Sequence, residues 1–341
     1  MKVVPVEAAE GMVLCHDLTR IVPGECKGRA FRKGHVIHRT DIPDLLKMGK
    51  ENIYVFDLTE GLVHEDDAAR RIAGAAAGDG LKRTDPCEGR VNLIATRDGL
   101  LKIDVDALHR INLVENVAFS TLHGNQPVKA GQSVAGTRII PLVAPEETIR
   151  SVEAVGRDHR PVVEIRPFLS RSVGIVTTGS EIYHGRIQDQ FGPVLRKKYA
   201  ELGCPVIGQE FVSDDREMTA AAIRKFVAEG AEMVAVTGGM SVDPDDQTPA
   251  GIRAAGAEVV AYGSPIFPGA MFLLAYIGDV PVLGLPGCVM YYRASVFDLV
   301  VPRILAGDRI SPMDIAAMGH GGFCASCEAC RYPRCGFGKG S

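Results

Sequence analysis

Four short stretches in the second half of the chain combine glycines, hydroxyls and carboxylates. They are Thr177-Thr178-Gly179-Ser180-Glu181, then Asp214-Asp215, then Gly238-Gly239-Met240-Ser241 running on to Asp243, Asp245 and Asp246, and finally Pro286-Gly287. Glycine lets a ligand come close to the backbone, and amides at a helix start suit phosphate oxygens. Carboxylates do not hold phosphate directly. They hold Mg²⁺ that does, or accept hydrogen bonds from the ring N–H groups of a heterocycle. The negative charge crowded into "TGGMSVDPDDQTP", residues 237–249, is therefore expected to face a divalent cation and a donor-rich ring. A second constellation lies in the tail "GGFCASCEACRYPRCGFGKG". Cys324, Cys327, Cys330 and Cys335 are spaced C-x2-C-x2-C-x4-C. Exposed thiols this dense invite oxidation unless a ligand holds them. The overlapping run is similar to the ferredoxin pattern and favours an iron–sulfur cluster. Zinc, which commonly takes separated C-x2-C pairs, is the alternative.

The elements that must position these residues alternate between strand and helix from Val173 to about Gly307. "VGIVTT", "CPVIGQEFV", "EMVAVT", "EVVAYG" and "VPVLGL" read as strands; "FGPVLRKKYAELG", "DDREMTAAAIRKFVAEG" and a last helix to Leu305 read as helices. This pattern predicts an α/β fold, a largely parallel sheet with helices on both faces, whose ligands bind at the carboxyl ends of the strands. Asp214 and Glu217 stand at capping-box spacing, and Thr248 is the expected N-cap before Pro249. Upstream, the basic run "KGRAFRKGHVIHR" reads as solvated surface, with an anion site of Lys27, Arg29, Arg32 and Lys33 as the minor alternative. Asp98-Gly99 marks a hairpin inside a mixed, β-rich region. The expected division is an N-terminal segment at 1–60, a β-rich linker or lid-like module at 61–170, the α/β domain at 171–309 and the cysteine tail at 310–341.

Composition narrows the function classes. The 341 residues carry 38 basic and 42 acidic side chains, a net charge of −4, and no tryptophan. Without a basic stripe, nucleic acid is not the expected partner. No apolar run approaches a membrane span, and no secretory leader is evident, so a cytoplasmic protein in a reducing compartment is expected. Neither G-x-x-x-x-G-K-[ST] nor G-x-G-x-x-G follows any strand of the α/β region, which disfavours a P-loop ATPase and a Rossmann dehydrogenase.

The ordered set "VTTGSEI" with "GRIQD", "VSDD", "TGGMSVDPDDQT", "PIFPGAMF" and "LGLPG" resembles the molybdopterin-binding domain of molybdenum cofactor biosynthesis over about residues 171–306. The opening "EAAEGMVLCHDL" is similar to that of the molybdopterin molybdenumtransferases. The resemblance implies a small-molecule ligand, molybdopterin in adenylylated form, which releases AMP as molybdate is taken up. It implies a Mg²⁺ or molybdate site on Asp246, Glu181 and Asp214. Thr178, Gly179, Asp189, Gly238, Gly239, Ser241, Thr248, Pro286 and Gly287 are the implied contacts to phosphate and pterin, and a homodimer is suggested. Two motifs depart from the family pattern: Asp189-Gln190-Phe191 lacks a Ser and an Asn, and Leu285-Pro286-Gly287-Cys288-Val289 lacks the second proline and the amide. A non-catalytic carrier or sensor of the cofactor is the first alternative to an insertase. A nucleotide-processing enzyme sharing the domain, suggested by "DDQT", is the second.

Overall fold

The computed structural model describes residues 2–22, 26–55, 61–159 and 161–340. The chain separates into two compact units, one built from 1–96, 103–122 and 131–164, the other from 97–102, 123–130 and 165–341.

In the first unit, Lys2–Pro5 pairs antiparallel with Asn52–Val55. Val4, Val6, Leu14, Ile37, Leu45 and Ile53 form a small core beside this pair. A second sheet follows the order Leu81–Arg83, Val91–Ala95, Ser133–Ile139, Val117–Thr121. Burial alternates along Val91–Ala95, as a strand with one covered face requires. The helices Glu65–Ala76 and Glu146–Asp158 are tied by Arg71, which donates to Glu146 and Glu153 at 2.8 Å each.

The second unit contains, in order, β1 (Val173–Thr178), α1 (Phe191–Glu201), β2 (Val206–Val212), α2 (Arg216–Ala228), β3 (Met233–Thr237) and α3 (Thr248–Ala254). It continues with β4 (Glu258–Tyr262), β5 (Leu273–Ile277), β6 (Val280–Leu285), α4 (Val296–Leu305) and α5 (Pro312–Ala317). The sheet order is β2-β1-β3-β6-β5-β4. β2, β1, β3 and β6 run parallel, and β5 and β4 add an antiparallel edge. Every residue of β1 is buried, as expected for a strand covered on both faces. Leu195 and Tyr199 of α1 and most of α4 pack on one face. Ala220, Ile223 and Phe226 of α2 and Ile252 of α3 cover the other. Gly174 admits the Phe226 ring where any Cβ would collide with it. The α/β architecture expected from the strand and helix pattern is present.

Three local expectations are corrected. The strands Val91–Ala95 and Gly99–Ile103 do not form a hairpin; they lie in different sheets, and Gly99–Ile103 pairs with Gln126–Val128. Asp98 instead accepts hydrogen bonds from the Ala130 backbone N–H and the Lys129 ammonium. Helix α2 is capped by Asp215, whose side chain accepts from the Met218 N–H at 2.8 Å, and not by Asp214. Helix α3 has Gln247 at its N-cap with no side-chain cap, so the Thr248 hydroxyl is free for another partner. The sequence reading also missed β5. Its signal was Gly278-Asp279, a two-residue turn joining β5 to β6, with Gly278 in the left-handed region at φ +57°.

Candidate functional site

A cavity of about 360 Å³ opens beyond the carboxyl ends of β3 and β6. Gly238, Gly239, Ser241, Asp246, Pro286 and Gly287 line it, together with Phe191, Met240 and Met271. Six residues singled out in the sequence are thereby gathered at one place. The other three supply apolar walls. Met271 falls within the quoted motif "PIFPGAMF" and Phe191 opens α1, but apolar residues among polar motifs carry no chemical signal of their own.

The glycine turn after β3 is shaped by its surroundings. Gly238 and Gly239 have φ values of +88° and +52°, the region where side chains are disfavoured. A Cβ on Gly238 would strike the Thr178 carbonyl oxygen, and one on Gly239 would lie 2.9 Å from the Thr248 hydroxyl. Thr178 and Thr248 are buried beneath the turn and share a hydrogen bond of 3.0 Å. The Thr248 hydroxyl also lies 2.8 Å from the Gly238 carbonyl oxygen, to which it donates. These two threonines therefore do not line the cavity; they hold the backbone that does. Thr237, fully buried at the end of β3, carries a hydroxyl without a partner among the described residues.

The expected acidic triad is not assembled. Asp246 reaches the cavity, with one carboxylate oxygen 3.1 Å from the Asp243 N–H it accepts. Asp214 accepts the Ser180 N–H at 2.8 Å and thereby fastens the turn after β1 to the end of β2. Glu181 is exposed, and its carboxylate lies against Gly179. Asp189 takes the N–H groups of Phe191 and Gly192 and the Gln209 amide at 2.7 Å, so it fixes the start of α1. Among the described residues, no group of three or more His, Cys, Asp or Glu is placed to hold a metal ion. The three carboxylates Asp246, Glu181 and Asp214 are therefore not grouped around one Mg²⁺ position. Magnesium needs near-octahedral oxygens and commonly borrows them from a substrate phosphate, and of the three carboxylates only Asp246 lines the cavity.

Residues 174–306 match a family described as a "probable molybdopterin binding domain". That stretch is similar to the family over about two fifths of the chain. Residues 3–57 match a separate domain family of unknown function. A molybdopterin molybdenumtransferase of Synechococcus elongatus is 28% identical over 181 residues, covering 50% of this chain and 42% of that protein. A CinA-like protein of Mycobacterium sp. (strain MCS) is 33% identical over 93 residues, 27% of this chain and 22% of that protein. The matched stretches thus span less than half the length of either relative. Among solved structures, the molybdopterin biosynthesis enzyme MoaB of Thermus thermophilus is 21% identical with a TM-score of 0.34, over 40% of this chain and 98% of that one. The tungsten cofactor synthesizing protein MoaB of Pyrococcus furiosus is 19% identical at a TM-score of 0.34, over 41% and 98%. The cavity lined by Gly238, Asp246 and Gly287 lies inside the stretch that matches this family. Among the described residues, no helix is long and apolar enough to cross a membrane.

Proposed function

We propose that the molybdopterin-binding-family domain holds molybdopterin in the cavity between the β3 and β6 ends and serves the insertion of molybdate into its adenylylated form. The observation that carries this reading is the gathering of Gly238, Gly239, Ser241, Asp246, Pro286 and Gly287 around one cavity. Backbone N–H groups of the glycine turn and the Ser241 hydroxyl are of the type that suits phosphate oxygens. Asp246 is an acceptor for pterin ring N–H groups, and Phe191, Met240 and Met271 provide apolar contact for the ring. In this reading the protein's contribution is to orient the ligand and exclude water; preorganised dipoles do most of that work in such sites.

A second reading, a carrier that binds the cofactor without turnover, is favoured by one observation. No cationic side chain lines the cavity among the described residues, although molybdate uptake and AMP release both handle anions. Incubating the full chain with adenylylated molybdopterin, Mg²⁺ and molybdate separates the readings. AMP release above the uncatalysed rate is expected for the insertase. Tight binding without AMP release supports the carrier, and hydrolysis of unrelated nucleotide pyrophosphates would replace both with a nucleotide-processing enzyme.

A further inference from the structure

A second cavity, of about 270 Å³, is ringed by all four tail thiols, Cys324, Cys327, Cys330 and Cys335. All four are free thiols, and Cys327 and Cys330 are exposed at the mouth while Cys324 and Cys335 are half-buried. The tail around them is folded onto the α/β unit. The Cys324 N–H donates to the Phe267 carbonyl at 2.8 Å, and the Tyr332 hydroxyl donates to the Asp298 carbonyl of α4 at 2.9 Å. Phe337 is 4% exposed, and Gly338 closes against Leu299, where a Cβ would collide. Ser326, between the first two cysteines, sits in the left-handed region at φ +50°, which turns the chain sharply there.

We infer that this cavity binds a polynuclear iron–sulfur cluster through Cys324, Cys327, Cys330 and Cys335. A single tetrahedral ion draws its thiolates to one point, with zinc–sulfur bonds of about 2.3 Å. A cluster places each thiolate on a different iron, so the sulfurs ring a volume instead of meeting. The four thiols share one cavity, and their overlapping C-x2-C-x2-C run is the spacing of cluster-binding cysteines, not the separated pairs common for zinc. Charge agrees. A cluster held by four thiolates is anionic, and the guanidinium-bearing residues Arg293 and Arg331 line the same cavity. Tyr292, Phe323 and Phe337 wall it with aromatic surface, which lowers the polarity around such a group. Loading is ligand exchange. A preassembled cluster passes from a thiolate donor, the four cysteine thiols release their protons to solvent, and their sulfurs replace the donor's ligands with no electron transferred. The inference does not depend on the ligand of the molybdopterin-binding-family domain.

The test is anaerobic purification of the full chain, with iron and acid-labile sulfide measured per chain and the visible spectrum recorded. Iron and sulfide in equal amounts, with broad charge-transfer absorbance, are expected. The exposed positions Cys327→Ser and Cys330→Ser, combined, should lower bound iron at least tenfold with an unchanged far-UV circular dichroism spectrum. Cys87→Ser, an exposed cysteine outside the cavity, should leave iron unchanged. One zinc per chain without sulfide overturns the inference, as does iron retained in the double variant. A chain that takes up no iron when supplied anaerobically with iron, sulfide and thiol also overturns it.

Discussion

At the scale of single residues, the site depends on what each carboxylate and glycine is already bonded to. Asp246 faces the cavity while its other task is to accept the Asp243 N–H. Asp246→Asn keeps an acceptor oxygen for that loop bond and removes the charge, whereas Asp246→Ala removes both. Both are expected to weaken molybdopterin binding at least tenfold in a titration, and only the alanine variant should also loosen the loop to proteolysis. Equal affinity of the asparagine variant and the parent protein would sink the role given to the charge. Gly238 adds a backbone test. At φ +88° with no room for a Cβ, Gly238→Ala should cost ~1–3 kcal/mol from the forced conformation, read as a lowered melting temperature. It should abolish binding as well, because the turn must move. Asp214 and Asp215 show why neighbouring identical residues are hard to assign from sequence. Asp215 has the extended backbone of an N-cap, at φ −120° and ψ 129°, and no composition rule chooses between the two.

At the scale of elements, much was legible because it is local. Strand β1, helices α1 and α2, and the glycine turn after β3 each announce themselves within about ten residues. What sequence could not supply is pairing: Gly99–Ile103 finds Gln126–Val128 because a neighbouring strand is chosen by burial across the fold, not by the turn residue beside it. The glycine motif pointed to residues that line one cavity, but the roles of Thr178 and Thr248 beneath the turn follow from a contact across 70 residues. Helix α4 ends in a charge cluster of the same non-local kind. Arg303, 8% exposed, donates to Asp308 at 3.0 Å and to Asp314 at 2.6 Å. Burial would raise the Asp314 carboxyl, but hydrogen bonds from Ser311 and the Arg303 guanidinium outweigh it and hold it down at about 2. Because the folded value is depressed, the stabilisation is fully present above the unfolded value of about 3.9 and is lost as pH falls through about 2. Melting temperatures measured from pH 6 to pH 2 should show the difference between the parent protein and Asp314→Asn shrinking across that window. A gap that persists at pH 2 would exclude this origin. Arg303→Met should cost about 1.5–3 kcal/mol, since it removes a charged donor from Asp314 while Asp308 keeps Lys102 and Asp314 keeps Ser311.

At the scale of the whole molecule, chain order and compactness disagree. The second unit takes residues 97–102 and 123–130 from between segments of the first. In it Lys102 meets Asp308 at 2.9 Å and also reaches Asn125 at 2.8 Å, and Lys339 is bonded to Gln126. A fragment beginning at residue 165 contains the whole molybdopterin-binding-family stretch and still lacks these partners. It is expected to melt well below the full chain and to show no cooperative transition of comparable sharpness; an equally stable fragment would mean that the two early segments are dispensable. The same interleaving has a consequence on the ribosome. Lys102 and Asp308 are 206 residues apart in sequence, and at about 5–20 residues per second the second emerges roughly 10–40 s after the first. Leu100, Leu101 and Val128 end almost completely buried, so through that interval they stand as bare apolar surface on a nascent chain. A holdase chaperone has its natural grip there, and the yield of folded protein should fall when translation is slowed between those two points.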